Sequence, residues 1–263
     1  MRRGPVVEAV HRVHVASTDG AVCGDDLVSL LRSAAKPIQA IPFADGYDDL
    51  ADEELAIACA SHQAEPAQLA AVRAVLARAG ATVEDLENGP QEGRPDGKLG
   101  HNCSGKHAGM LAACRANGWP FAGYRLPGHP LQERIRELLG AGDAAIDGCG
   151  LPTYALSLAD TAALLTRTPE RIADAMRARP DLVGGHGADD TDLMRALPGW
   201  LAKRGAEGLL CAVSPDGVGY AFKVEDGNGR ALRPAIGGVL GVDAFRSVSI
   251  RNSLGELVGE LSV

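Results

Sequence analysis

Ser33-Ala34-Ala35-Lys36 sets a hydroxyl and an amine three residues apart. On a helix that spacing brings the amine beside the hydroxyl, so an uncharged Lys36 could take the proton of Ser33 as it attacks a carbonyl. Pro37 is tolerated in the first turn of a helix but not in its interior, which puts Ser33 at or near a helix N-terminus. Free backbone N–H groups there could stabilise a developing oxyanion. The pattern is common by chance, and its bland alternative is a capping serine with an unrelated surface lysine. Ser61-His62 offers a second hydroxyl, able to relay a proton or to attack, with helix capping as its alternative. Lys203 could hold a substrate carboxylate and, by like-charge repulsion, lower the pKa of Lys36; otherwise it is an exposed basic hairpin edge.

The run His101-Asn102-Cys103-Ser104-Gly105-Lys106-His107 concentrates a thiol, an amine and two imidazoles at the start of an apolar helical segment. A thiolate is favoured at such an N-terminus. Cys103 and Lys106 share a helix face. Cys149 lies between glycines with Asp147 two residues before it. Two thiolates could bind a soft divalent metal such as zinc, with His101, His107 or Lys106 completing the set. The spacing matches no common zinc-finger pattern. Buried, inert thiols are the alternative, and Cys59, Cys114 and Cys211 read that way.

The elements that must position these groups follow from local signals. Val6 to Val15 favours a strand, and Asp19-Gly20 turns into a second one, Ala21 to Cys23. Helices are predicted from near Ser33, over Glu53 to Ala60, from Pro66 to Gly80, from Cys103 to Gly118, over Pro130 to Leu139, over Ala155 to Leu165, and from Pro169 to Arg179. Gly89 to Gly97 reads as a polar surface excursion. Gly208 to Val213 and Val218 to Val224 read as strands joined by Ser214-Pro215-Asp216-Gly217. A C-terminal helix and a last strand, Glu256 to Val263, complete the chain. Strands at both ends with helices between them predict an α+β domain whose sheet gathers the two ends.

Bulk composition narrows the function. The 263 residues are 46% hydrophobic but only 4% aromatic, so the core must be built from Ala, Leu, Val and Ile. A net charge of −8 argues against nucleic-acid binding, where a basic footprint supplies most of the affinity. No apolar run reaches membrane-spanning length or resembles a signal peptide, and six scattered cysteines suit reduced thiols, so a cytoplasmic protein is expected. Only five of the 26 basic residues are lysines. Lysine, unlike arginine, can be tuned to act as a base.

The ordered series Arg32-Ser33-Ala34-Ala35-Lys36-Pro37-Ile38-Gln39, Ala60-Ser61-His62, Asn102 to Met110, Asp147-Gly148-Cys149 with Pro152-Thr153-Tyr154, and Lys203 with Gly205-Ala206-Glu207-Gly208 resembles the rhizobial-type L-asparaginases, the asparaginase II family. The resemblance runs through the whole chain. It implies a fold similar to serine β-lactamases and glutaminases, a sheet flanked by helices in a single domain over residues 1–263, and a homodimer. The implied reaction is hydrolysis of L-asparagine to L-aspartate and ammonia, with two serine–lysine pairs, Ser33 with Lys36 and Ser61 with Lys203. It implies one zinc per subunit on Cys103, Lys106 and Cys149, aiding substrate binding and not the chemical step. Arg32, His62, His107 and Asp147 match positions around the substrate. The sequence departs from the family pattern through trimmed loops, Gln63 for the usual Asn, Gly150 for Ser, and Arg204 for the Thr of a Lys-Thr-Gly motif. Arg204 and Gly150 bear on affinity and substrate choice more than on the chemistry itself. A glutaminase, another amidase or β-lactam hydrolase with the same machinery, and a non-catalytic zinc-bearing relative that binds amino acids are the alternatives.

Overall fold

Val13–Ser17 lies second in a five-stranded sheet in the order Val22–Cys23, Val13–Ser17, Gly219–Val224, Leu209–Val213, Leu201–Arg204, with every neighbouring pair antiparallel. The computed structural model describes residues 1–140 and 142–263. Leu209–Val213 is buried at every position, as a strand covered on both faces must be. Its hairpin to Gly219–Val224 closes through the anticipated Ser214–Gly217 turn, where Gly217 takes φ +82°. The sheet therefore unites an N-terminal strand with a C-terminal hairpin, and the architecture is α+β.

The expected strand over Val6 to Val15 is split. Val6–Val7 joins a second antiparallel sheet, ordered Ser247–Arg251, Leu257–Ser262, Arg2–Arg3, Val6–Val7, while Val13–Ser17 joins the first. One straight strand cannot pair in both sheets, so residues 8–12 cross between them. The predicted helix over Ala155 to Leu165 also starts late. Pro152–Ser157 is a strand, paired on one side with Val28–Leu30 and on the other with Ala144–Ile146. The helix Leu158–Leu165 begins only where the Ser157 hydroxyl accepts from the Asp160 N–H at 3.1 Å. The helix Asp189–Ala196 and the strands Leu201–Arg204 and Ser247–Arg251 were not anticipated as elements.

The helix Ser104–Asn117 runs through the core, buried from Ser104 to Cys114 and stopped by Gly118 at φ +67°. It packs on the helix Asp52–Ala58 at backbone distance. A Cβ on Gly105 would stand 2.2 Å from the Ile57 carbonyl oxygen, and one on Gly109 would meet Ala58 Cβ at 3.0 Å. The small residues of Ser104-Gly105-Lys106-His107-Ala108-Gly109 thus bring the Cys103 end of this helix beside the chain that leads to Ser61. The helix Pro66–Ala79 packs outside them, with Pro66 in its first turn and Gly80 past its end, as predicted. Fully buried Leu111, Ile57, Leu55 and Ile38 fill the space between, each contributing roughly 1.5–3 kcal/mol by leaving water. Among the described residues no helix is long and apolar enough to cross a membrane.

Candidate active site

Ser33, Ser61, Cys103, Asp147, Cys149 and Arg204 surround one cavity of about 210 Å³, with Arg32, His101 and Asn102 completing its walls. They come from five separate places in the chain. Ser33 sits in a short 3₁₀ turn, Arg32–Ala35, that continues into the helix Lys36–Gln39 with Pro37 in its first turn. Arg32 adopts φ +47°, a left-handed conformation costing a non-glycine residue about 1–2 kcal/mol. It is held there by its N–H, which donates to Thr153 Oγ1 at 3.0 Å, and by Nε, which donates to Asp147 Oδ1 at 2.6 Å. Strain of this kind persists where its surroundings over-determine it.

Lys36 is fully buried, and its Nζ donates to the Ala60 carbonyl and to Ser61 Oγ, the latter at 3.1 Å. Burial pulls its pKa down to about 8, opposed by the Cys103 thiolate and helped by the charges of Lys106 and Lys203. The serine–lysine pairs therefore differ from those expected. Among the described residues Lys36 makes no hydrogen bond to Ser33; its amine meets Ser61 from the next helix–loop junction.

Lys203 is not paired with Ser61 and is no exposed hairpin edge. Its Nζ donates to Asp190 Oδ2 at 2.8 Å, and neither side chain has any solvent exposure. Burial lowers the Lys203 pKa, partly offset by Asp190. Burial raises that of Asp190, but Lys203 and Arg204 outweigh it and leave the carboxyl below its ordinary range. Gly184 lets this carboxylate in, since a Cβ there would lie 2.3 Å from Asp190 Oδ1. The Arg204 backbone N–H donates to Asp190 at 3.2 Å, and Arg204 Nη2 donates to the Ser61 carbonyl at 3.2 Å.

His62 and His107, expected beside the substrate, stand behind the wall instead. Both are fully buried. The Ser104 hydroxyl donates to Leu99 O at 2.7 Å and accepts from His62 Nε2 at 2.8 Å, while His62 Nδ1 accepts from the Ala64 N–H at 3.1 Å. Both ring nitrogens are thus taken, and burial with nearby Lys36 pushes the His62 pKa down to about 3. His107 pairs through Nδ1 with the Tyr124 hydroxyl at 2.7 Å, and burial and Lys106 hold it well below the ordinary histidine range. His101 reaches the cavity in their place and accepts from the Cys103 N–H at 3.0 Å.

Cys103, Cys149 and Lys106 converge. Lys106 Nζ is 3.1 Å from Cys149 Sγ, and Cys103 and Cys149 line the same cavity. The neighbouring Cys149 thiol, with Lys36 and Lys106 close by, holds the Cys103 pKa well below its ordinary value. Among the described residues no group of three or more His, Cys, Asp or Glu could hold a metal ion. A cation here would take two sulfurs and the Lys106 amine, a soft donor set of the size a tetrahedral site needs when a water or substrate supplies the fourth ligand.

The sequence pattern of the L-asparaginase II family matches residues 1–260 of the 263. The chain belongs to the L-asparaginase II family. No curated protein matches the sequence significantly.

In this L-asparaginase II chain the sequence reading missed three residues that shape the site. Asp190 hides in Asp189-Asp190-Thr191-Asp192, which looks like an exposed acidic helix start. Gln91 and Arg94 lie in the segment expected to be a surface excursion. Gln91 Oε1 accepts from the Asn102 N–H at 2.9 Å, and Arg94 Nη1 donates to the His62 carbonyl at 2.9 Å, so the loop folds back on the site. The density of glycine and proline around them signalled a tight path but not its direction.

Proposed function

We propose that the protein is an amidohydrolase converting L-asparagine to L-aspartate and ammonia through a covalent ester. The observation that carries this is a buried amine on Lys36, its pKa drawn down to about 8 so that it can shed its proton near neutral pH, in contact with one of two hydroxyls of a single cavity. An uncharged amine has two N–H donors, used by Ala60 O and Ser61 Oγ, and one lone pair left to accept a proton. Ser33 lines the cavity from the preceding helical turn and is the hydroxyl free to attack.

Ser33 Oγ bonds to the side-chain amide carbon while its proton passes to Lys36. The C–N bond then breaks as Lys36 returns that proton through Ser61 to the departing nitrogen, which leaves as ammonia. Water, deprotonated by the same amine, cleaves the β-aspartyl ester and restores Ser33. Asp147 Oδ1 is held by Arg32 and by the Gly148 N–H at 2.7 Å, which leaves Oδ2 to receive the α-ammonium of the substrate. His62 and His107 support the wall from behind.

Cys103, Lys106 and Cys149 would hold one zinc ion per subunit, with Lys106 deprotonated as a ligand must be. When bound, the ion supplies positive charge beside the cavity that strengthens substrate binding. The antiparallel sheet with helices around it fits a β-lactamase- or glutaminase-like single domain, working as a cytoplasmic homodimer. Six free cysteines accord with a reducing compartment.

Ammonia release from L-asparagine and L-glutamine, compared side by side, tests the activity. Faster release from asparagine supports the reading, and release from neither sinks it. Mass spectrometry of rapidly quenched reactions should find an acyl adduct in Ser61→Ala and none in Ser33→Ala; the reverse would exchange the two serines.

A further inference from the structure

The carboxylates around the cavity are hydrogen-bonded to cationic side chains other than that of Arg204. Asp147 is bonded to Arg32, Asp190 to Lys203 and Asp189 to Arg233 at 2.7 Å. Arg204 remains. Its Nε is 3.8 Å from Asp190 Oδ1, beyond hydrogen-bond reach, on a carboxylate that Lys203 has neutralised. Of five guanidinium N–H donors, one is bonded within the described chain, to the Ser61 carbonyl. The side chain is 32% exposed and lines the cavity. Arg94, close enough to feel the Arg204 charge, adds to the positive field. A guanidinium with free, planar donors beside a small cavity is a receptor for a carboxylate.

We propose that Arg204 binds the α-carboxylate of the substrate and so restricts the site to side-chain amides of free amino acids. The inference rests on the amidohydrolase reading above. Only Cα and Cβ separate the α-carboxylate of asparagine from the amide carbon that is attacked. Its receptor must therefore lie close to the nucleophile, and Arg204 lines the same small cavity as Ser33. Asp147, which lines the same cavity, takes the α-ammonium, so the cavity offers a partner for each charge of a zwitterion. A peptide-linked or α-amidated asparagine presents no anion there and leaves the guanidinium unpaired on desolvation.

Hydrolysis of L-asparagine is to be compared with that of L-aspartic diamide, whose α-carboxylate is a neutral amide; isoasparagine is the product counted. Three proteins are needed: wild type, Arg204→Gln and Arg204→Lys. In Arg204→Gln, kcat/KM for L-asparagine should fall about tenfold to a hundredfold, the worth of a charged hydrogen bond, through KM more than kcat. The value for the diamide should hardly change, and Arg204→Lys should recover part of the loss. Equal losses on both substrates, or an unchanged KM for L-asparagine, overturn the proposal. Should wild type cleave neither amide, the amidohydrolase reading fails, and calorimetric titration of the same proteins with L-aspartate decides on Arg204 alone. Binding by wild type that weakens in Arg204→Gln and persists in Arg204→Lys supports it; equal binding in all three, or none by wild type, overturns it.

Discussion

Lys203 and Asp190 form an ion pair sealed from water, Nζ to Oδ2 at 2.8 Å with both side chains at 0% exposure. The strand Leu201–Arg204 supplies the lysine and the helix Asp189–Ala196 the acid. This pairing assigns Lys203 a partner other than Ser61 and leaves Lys36 as the amine in contact with a serine hydroxyl.

Breaking that pair by Asp190→Asn leaves a buried ammonium without a counter-ion and should cost about 3–5 kcal/mol. Asp190→Leu combined with Lys203→Met removes both charges and should be more stable than Asp190→Asn alone. Urea unfolding, with midpoint and slope compared, measures this. A wild-type midpoint for Asp190→Asn would contradict the pairing.

The pKa of Lys36, about 8 in the folded protein against 10.5 for an ordinary lysine, sets a pH window. Below pH 8 the amine is charged in both folded and unfolded chains, and the folded state bears the full cost of that burial. Between pH 8 and 10.5 the unfolded chain keeps a proton that the folded one has released, so this group makes stability rise with pH. The kcat/KM for L-asparagine should rise through about pH 8 and level off above it. Lys36→Met should abolish turnover and remove this contribution to the pH dependence of unfolding.

At Gly105 a side chain cannot fit, because its Cβ would press on Ile57 O at 2.2 Å. Gly105→Ala should push apart the helices Asp52–Ala58 and Ser104–Asn117 and destabilise by about 1–3 kcal/mol, the range for overpacking. It should also slow turnover, since these helices carry Cys103 and lead to Ser61. Gly89→Ala, with open space around the new Cβ, is the control and should stay within about 0.5 kcal/mol of wild type. Thermal unfolding of the two variants makes the comparison.

Elemental analysis of protein purified without added metal should find one zinc per chain, lost in Cys149→Ser. Chelation should raise KM and leave kcat near its starting value. Complete loss of activity on chelation would mean that the ion takes part in the chemical step.

Much of the framework was legible because its signals are local. Pro66 and Gly80 bracket one helix, and Gly118 stops another at a left-handed residue. Such starts and stops depend on the backbone freedom of the residue itself. Tyr154-Ala155-Leu156 misled, because apolar residues before a helix serve equally well as a strand when partners lie on both sides. The partners Val28–Leu30 and Ala144–Ile146 come from elsewhere, one of them far back in the chain. His62 and His107, placed around the substrate by the family resemblance, are instead bound into the interior by their neighbours Ser104 and Tyr124.

The amino-acid order determined which reactive groups exist here and where the helices that hold them begin and end, since capping, glycine and proline act within a few residues. Tertiary packing decided which amine touches which hydroxyl, which carboxylate cancels which charge, and that Arg204 keeps a charge to offer. Those outcomes hinge on contacts of about 3 Å between side chains from distant segments, made in a low-dielectric interior where a paired and an unpaired charge behave differently.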